Sequence, residues 1–375
     1  MNERAIPVNI PLVDLGLQRD RIAAEVEEGF ARVLAKTAFI GGPDVTAFEE
    51  EFAAFTGTAY CVGVANGTDA IELALRAAGI REGDQVALPA NTFVATAEAA
   101  VRAGAVPVPV DVDPAHLLMD ADEFARVASR CRAVLPVHLF GQLAPMNAVR
   151  AVAQQHDVLV IEDAAQCQGA TQNGTGMGGF GVAAATSFYP GKNLGAFGDA
   201  GAVVTQDEEI ARKLRLLANH GSDKKYSHPE LGFNSRLDTL QAVVLRAKLK
   251  QLSAWNKERA AAADLYAELL ADVSEVRLPG VADGNEHVWH LYVVRVRNRD
   301  MVLKHLNDNG VGAGIHYPTP VHHTGAFAKY GRPEGYPVAE QAADEILSLP
   351  LFPGITREQQ ERVAAVLKEA VATHA

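Results

Sequence analysis

The chain has 375 residues, 48% of them hydrophobic, enough to build more than one core, and two domains are expected. A formal net charge of −12 argues against a nucleic-acid binder, which would carry a basic face. No apolar run approaches the ~18 residues of a membrane span, so none is expected.

The start, Met1 to Pro7, lacks a basic end followed by an apolar stretch, so no signal peptide is expected. Cys61, Cys131 and Cys167 are scattered and odd in number, which fits a reducing cytoplasm. They lack metal-ligand spacing, and His322-His323 has no His or Cys partner at a useful interval, so no metal is expected.

Apolar residues recur at helical spacing from Gln18 to Lys36, and helix resumes from Val45 to Phe55 after Gly41-Gly42-Pro43. Tyr60 to Val64 reads as a strand, followed by Asn66-Gly67-Thr68-Asp69 and a helix. Strands and helices then alternate. The strands are Gln85–Leu88, Val106–Val110, Ala133–Val137 and Val158–Ile161, and the helices Thr92–Ala103, Ala121–Ser129 and Met146–Gln155. This rhythm predicts an α/β fold with a mostly parallel sheet, helices on both faces, and ligands at the carboxyl ends of the strands.

Val182 to Thr186 and Gly201 to Thr205 read as two further strands, and Leu216 to Phe233 as loop. A helical stretch from about Leu237 to Leu270 is too long for one compact helix, so a bend or a connecting role is expected. His287 to Val296 alternates like a half-buried antiparallel strand, and helices are expected over Asp300–Asn309 and Thr356–Val371. The chain is therefore expected to divide into a large domain, residues 1–250, and a smaller C-terminal α+β domain, residues 251–375.

Lys192 lies in Ser187-Phe188-Tyr189-Pro190-Gly191-Lys192, between two buried strands. An ammonium there is costly unless it is paired or loses its proton, and a neutral lysine amine is a nucleophile suited to a Schiff base. Gly67 and Thr68 open a helix, where unpaired N–H groups suit a phosphate, or where Thr68 or Asp69 would be an ordinary cap. Ser187 offers a second phosphate donor. Asp163 ends a buried strand, with Gln166 three residues on, and a carboxylate so placed needs a cation. Phe93, in Pro89 to Thr96, falls at the ligand edge. A Schiff-base lysine, a phosphate turn and a buried carboxylate together are what pyridoxal phosphate requires. Gly176 to Gly181 also matches the Gly-x-Gly-x-x-Gly spacing of dinucleotide sites, but no strand precedes it and no helix follows, so that reading is set aside.

The chain resembles nucleotide-sugar aminotransferases of the DegT/StrS family, within the fold-type I pyridoxal-phosphate enzymes. The matching runs include Asn66–Ala70, Pro89–Thr96, Val137–Gln142, Glu162–Gln166, Ser187–Gly195, Gly198–Ala202, Asn234–Asp238 and His316–Pro318. The resemblance extends from near Pro11 to near Val371.

That resemblance implies roles for individual residues. Lys192 would carry the cofactor as an imine and shuttle the proton, and Asp163 would pair with the ring nitrogen. Gln166 would sit near the phenolic oxygen, Phe93 would stack on the ring, and Gly67, Thr68 and Ser187 would hold the phosphate. Asn234 would reach the phosphate of a neighbouring subunit in a homodimer. Tyr189, His316, Tyr317 and His322 would line the sugar pocket, with Lys224, Lys225, Tyr226 and Arg236 as candidates for the nucleotide diphosphate. The implied reaction moves an amino group, most readily from glutamate, onto a keto sugar carried by a nucleoside diphosphate. The run His316 to His322 looks most like enzymes acting on 3-keto sugars, with 4-keto sugars and cyclitols as alternatives. The loop Asn173 to Val182 departs from the family, lacking its basic residue and its Gly-Asp pair.

Overall fold

The computed structural model describes residues 9–224 and 226–374. The strands are β1 (Tyr60–Val64), β2 (Gln85–Pro89), β3 (Val106–Val110), β4 (Ala133–Val134), β5 (Leu159–Asp163), β6 (Thr171–Gln172), β7 (Thr175–Gly176), β8 (Ala183–Ser187) and β9 (Gly201–Thr205). Seven of them form the main sheet, in the order β1-β9-β8-β5-β4-β2-β3. β3, β2, β4, β5 and β8 run parallel, and β9 is antiparallel to both β8 and β1. The carboxyl ends of β1, β2, β5 and β8 therefore share one edge. Their side chains are mostly apolar on both faces, as a doubly covered parallel sheet requires.

Helices α1 (Leu15–Asp20), α2 (Ala23–Lys36) and α3 (Pro43–Thr56) precede the sheet. Helices α4 (Gly67–Ala77), α5 (Val94–Arg102), α6 (Ala121–Ala128) and α7 (Met146–Gln155) link its parallel strands. The single helix expected over Gln18–Lys36 is broken at Arg21-Ile22, where Ile22 has φ −123° and ψ 2°. α8 (Glu208–Ala218) runs past Leu216, so the expected loop begins later, at Asn219. Asp207 fixes its start, its carboxylate accepting the amides of Glu209 and Ile210 at 2.8 and 3.1 Å.

α9 (Thr239–Leu269) is one continuous helix of 31 residues, with no bend assigned. Its sequence holds no glycine or proline and is rich in alanine, leucine and long charged residues, so nothing interrupts it. It packs against α2 and α3, and against the C-terminal helix Arg357–His374. Residue 250 lies inside it.

Beyond α9, β10 (Val276–Arg277), β11 (Asn285–Glu286), β12 (Tyr292–Val296), α10 (Arg299–Asp308), α11 (Pro337–Glu345), β13 (Ile346–Leu349) and α12 (Arg357–His374) complete the chain. A three-stranded sheet, β10-β12-β13, has its own core of Tyr266, Tyr292, Val294, Leu306, Leu347 and Leu367, joined by Ile10. Of the strand expected over His287–Val296, only Tyr292–Val296 forms. Upstream, Val288 and Leu291 give their amides to Gly141 and Phe140, and Trp289 has a positive φ of 48°. Among the described residues, no helix is long and apolar enough to cross a membrane.

Lys248, in the middle of α9, is 2% exposed, with Phe197 beneath its ammonium at 5.1 Å. Burial lowers its pKa from 10.5 to about 8. The unfolded chain thus binds the extra proton over a window where the folded chain does not. The cost of burying the charge is full below about pH 8 and fades as the pH rises towards 10.5. Lys248→Met should therefore stabilise the protein at pH 7 by about 2 kcal/mol. The gain should shrink in alkaline buffer, as read by denaturant melts at the two pH values.

Candidate active site

Three chain segments meet at the carboxyl edge of the main sheet, around a cavity of about 570 Å³. Gly67, Thr68, Asp163, Gln166, Ser187 and Lys192 all line it, as do Phe93, Tyr189, His316 and Tyr317. Its volume suits a cofactor and part of a substrate.

The first segment is the turn from β1 into α4. Asn66, rather than Thr68 or Asp69, caps the helix, its Oδ1 accepting the Asp69 amide at 2.8 Å. The amides of Gly67 and Thr68 precede the first intrahelical bond, at the positive end of the helix dipole. Asp69 is held away by Arg102 at 2.9 Å and the Ser235 hydroxyl at 2.8 Å. Gly67 is required by close approach: a Cβ there would lie 2.5 Å from the Ser187 Cβ and 3.0 Å from its Oγ. The turn and Ser187 thus form one cradle of amides and hydroxyls.

The second segment is the end of β5. Asp163 is 4% exposed, and its Oδ2 accepts the Thr96 hydroxyl at 2.7 Å while its Oδ1 accepts the Ala165 amide at 3.2 Å. Burial pushes its pKa up, against the pull of Thr96, the Ala165 amide, Lys192 and His138. Thr96 was not singled out in the sequence, although it closes the Pro89–Thr96 run. Thr96→Val removes the one hydroxyl donor from a buried carboxylate, worth ~1.5 kcal/mol. Turnover should fall about tenfold, and Thr96→Ser should restore it, as read by steady-state kinetics.

Glu162, next to Asp163, explains the glycine-rich loop. Its carboxylate accepts the amides of Gly178, Phe180 and Gly181 at 3.2, 3.1 and 2.8 Å, and His138 Nε2 lies at 3.0 Å. The loop wraps a buried carboxylate, and Gly178 adopts the left-handed φ of 81° that the wrapping needs.

The third segment follows β8. The Lys192 amide donates to Tyr189 O at 2.8 Å, closing the turn that brings the side chain into the cavity. Burial lowers the amine pKa to about 8, against the attraction of Asp163. Gln166 is fixed from both ends: its Oε1 accepts the Phe140 amide at 2.7 Å and its Nε2 donates to the Tyr317 hydroxyl at 3.1 Å. Phe93 is about half exposed, and its ring centroid lies 5.0 Å from that of Tyr317. The His316 Nδ1 is 2.8 Å from Ser348 Oγ, and burial followed by Lys192 lowers its pKa to about 4.

Other expected residues do not line this cavity. His322 is buried, its Nε2 2.8 Å from Glu340 Oε1 and its ring against Tyr336, so a structural hydrogen bond holds it away from the cavity. His323 Nε2 lies 3.6 Å from the same oxygen. Lys224, Tyr226, Asn234 and Arg236 belong to the segment between α8 and α9, where Arg236 reaches Asn219 Oδ1 at 3.4 Å. Lys225 lies outside the described residues. Conversely, Asn66, His290 and Asp199 line the cavity without having been singled out. His290 sits in an alternating run that reads as strand, which hid it.

Residues 20–368 match the model of the DegT/DnrJ/EryC1/StrS aminotransferase family. The chain is 46% identical over 363 residues to the Saccharopolyspora erythraea erythromycin biosynthesis sensory transduction protein EryC1, covering 96% of this chain and 99% of that protein. It is 44% identical over 371 residues to the Streptomyces venezuelae dTDP-3-amino-3,4,6-trideoxy-alpha-D-glucose transaminase, covering 98% of each. Two solved structures share the fold. One is S. venezuelae DesV in complex with a ketimine intermediate, 44% identical with a TM-score of 0.94, covering 96% of this chain and 98% of that one. The other is Bacillus subtilis NtdA with bound cofactor PMP, 32% identical with a TM-score of 0.90, covering 99% and 87%. The fold is thus that of the fold-type I aminotransferases, and the chain belongs to the DegT/DnrJ/EryC1/StrS aminotransferase family.

Proposed function

We propose that this enzyme uses pyridoxal phosphate to transfer an amino group from an amino acid, glutamate by preference, to the 3-keto carbon of a dTDP-linked 6-deoxyhexose. The observation that carries the reading is one cavity holding the Lys192 amine, the buried Asp163 carboxylate and the α4 N-terminus. These fit the cofactor. The cradle of Gly67, Thr68 and Ser187 suits its phosphate, and Asp163, an acceptor short of a cation, suits its ring nitrogen. Phe93 offers the ring a face. Gln166 has one Nε2 hydrogen left for the phenolic oxygen after its bond to Tyr317.

Bound there, the cofactor would supply the electron sink that makes amino transfer feasible. The chain's residues would do the rest. Lys192 would take the proton from the donor's α-carbon and return it to the cofactor side, then reverse both moves with the keto sugar. Its lowered pKa keeps part of it neutral, and so basic, near neutral pH. Asp163 would hold a proton on the ring nitrogen by its charge. Tyr189, His316 and Tyr317 would shape the sugar site.

We assign Lys224, Tyr226, Asn234 and Arg236 to a site shared with a second copy of the chain, since none lines the cavity of its own chain. Asn234 would reach the cofactor phosphate there and the others the nucleotide diphosphate. A large domain to about residue 250 and a smaller one beyond it belong to the same proposal, with α9 spanning the division.

The 3-keto preference rests on the His316 to His322 run and on the name of the S. venezuelae relative. Incubation with glutamate and either the 3-keto or the 4-keto sugar nucleotide, followed by NMR of the product, tests it. Amination of the 3-keto compound supports the reading; turnover confined to the 4-keto compound, or to a cyclitol, overturns it. A regulator that binds without turnover would have no use for a desolvated amine in the same cavity as a desolvated acid.

A further inference from the structure

His322 and His323 have no third ligand beside them in sequence, but the fold brings one. The two lie in a single helical turn, Val321–His323, and Glu340 of α11 faces both rings. Glu340 Oε1 is 2.8 Å from His322 Nε2 and 3.6 Å from His323 Nε2. One donor atom from each of the three side chains lies within 4.8 Å of the other two. Ligand atoms around a tetrahedral zinc ion stand about 3.3 Å apart. The two separations at Glu340 bracket that value, so small side-chain rotations admit an ion.

The surroundings hold the three groups in place. The Tyr336 amide donates to Glu340 Oε1 at 2.9 Å, which fixes the carboxylate at the start of α11. The centroid of the His322 ring lies 4.4 Å from that of Tyr336 and 4.2 Å from that of His323. Among the described residues, no lysine or arginine forms a salt bridge with Glu340, so its charge is left to the two imidazoles. His323 is about half exposed, so solvent can supply a fourth ligand.

We propose that His322, His323 and Glu340 form a site for a divalent cation of the zinc class, separate from the Lys192 cavity. Two imidazoles and one carboxylate suit zinc over magnesium or calcium, which favour oxygen ligands throughout. Each imidazole would present Nε2 as a lone pair, with its hydrogen on Nδ1, and Glu340 would exchange its hydrogen bond to His322 for a bond to the metal. His322 Nδ1 is buried without a partner, so its hydrogen meets no acceptor behind the ring. Tight zinc sites have that support, and without it a micromolar affinity is expected. The ion would tie the Val321–His323 turn to α11. The strand after α11, β13, carries Ser348, the partner of the cavity-lining His316. The metal would thus brace a wall of the active-site cavity without entering it.

Two substitutions test the site. Glu340→Gln keeps an acceptor for the Tyr336 amide and loses the charge. His323→Ala removes a half-exposed ring and serves alone if the other variant does not fold. Zinc chloride is titrated into each full-length protein in competition with a chromophoric chelator. The wild type should show one micromolar site per chain, which His323→Ala and Glu340→Gln should weaken by ~10–100-fold. Any uptake at the cofactor site is common to all three proteins and cancels in the comparison. In thermal melts zinc should raise the wild-type midpoint by a few degrees and leave His323→Ala unmoved, while magnesium should move neither.

No zinc uptake by the wild type at submillimolar zinc, equal uptake by wild type and His323→Ala, or a magnesium shift as large as that of zinc overturns the proposal. None of these results bears on the pyridoxal-phosphate reading, which the kinetic and labelling experiments test separately.

Discussion

Lys192→Ala should lower amino transfer by at least ~10⁴-fold, because in the proposed mechanism one side chain supplies both the nucleophile and the acid–base group. The variant should also lose the visible absorbance of the cofactor-loaded protein. Lys192→Arg should be as inactive, since a guanidinium stays protonated and cannot act as the base. Neither loss should reflect unfolding. The folded pKa of about 8 lies below a lysine's ordinary 10.5, so the wild-type chain bears the full cost of a desolvated ammonium below about pH 8. Lys192→Ala removes that cost, and the cofactor-free variant should melt no lower than the wild type at pH 7. Stopped-flow absorbance with glutamate, beside a thermal melt, reads both outcomes.

Asp163→Asn should lower turnover by about 10³-fold while preserving the fold. A unit charge pair at ~4 Å and an effective dielectric near 20 is worth about 4 kcal/mol, or three powers of ten. The amide keeps the shape of the carboxylate and can still accept the Ala165 amide, so what is lost is charge. Single-turnover kinetics should show the deficit in the proton-transfer step. Thr96→Val acts on the same carboxylate through one hydrogen bond, and its smaller effect should lie on the same scale. Equal losses in the two variants would mean that packing around Asp163, rather than its charge, matters.

The sequence exposed the sheet and the ends of its strands well, because buried parallel strands are short, apolar and bounded by turns. Lys192, Asp163 and Gly67 were legible for a related reason. Each is polar or small where an apolar or bulky residue would be expected, and each falls at a strand end. Thr96 and His290 were not, since their chemistry depends on partners 67 and 97 residues away. The same holds for His322, which sequence placed at the sugar and the structure gives to Glu340. The use of the glycine-rich loop as a wrapping for Glu162 could not be read from spacing. For the long α9, length pointed to a bend or a connecting role; its lack of glycine and proline leaves it unbroken, and it packs against helices from both ends of the chain.

Borohydride reduction of the pyridoxal-phosphate-loaded protein, followed by peptide mass spectrometry, tests the central claim most directly. The phosphopyridoxyl group should be found on the peptide containing Lys192. Its appearance on another lysine such as Lys248, or on none, would contradict the account.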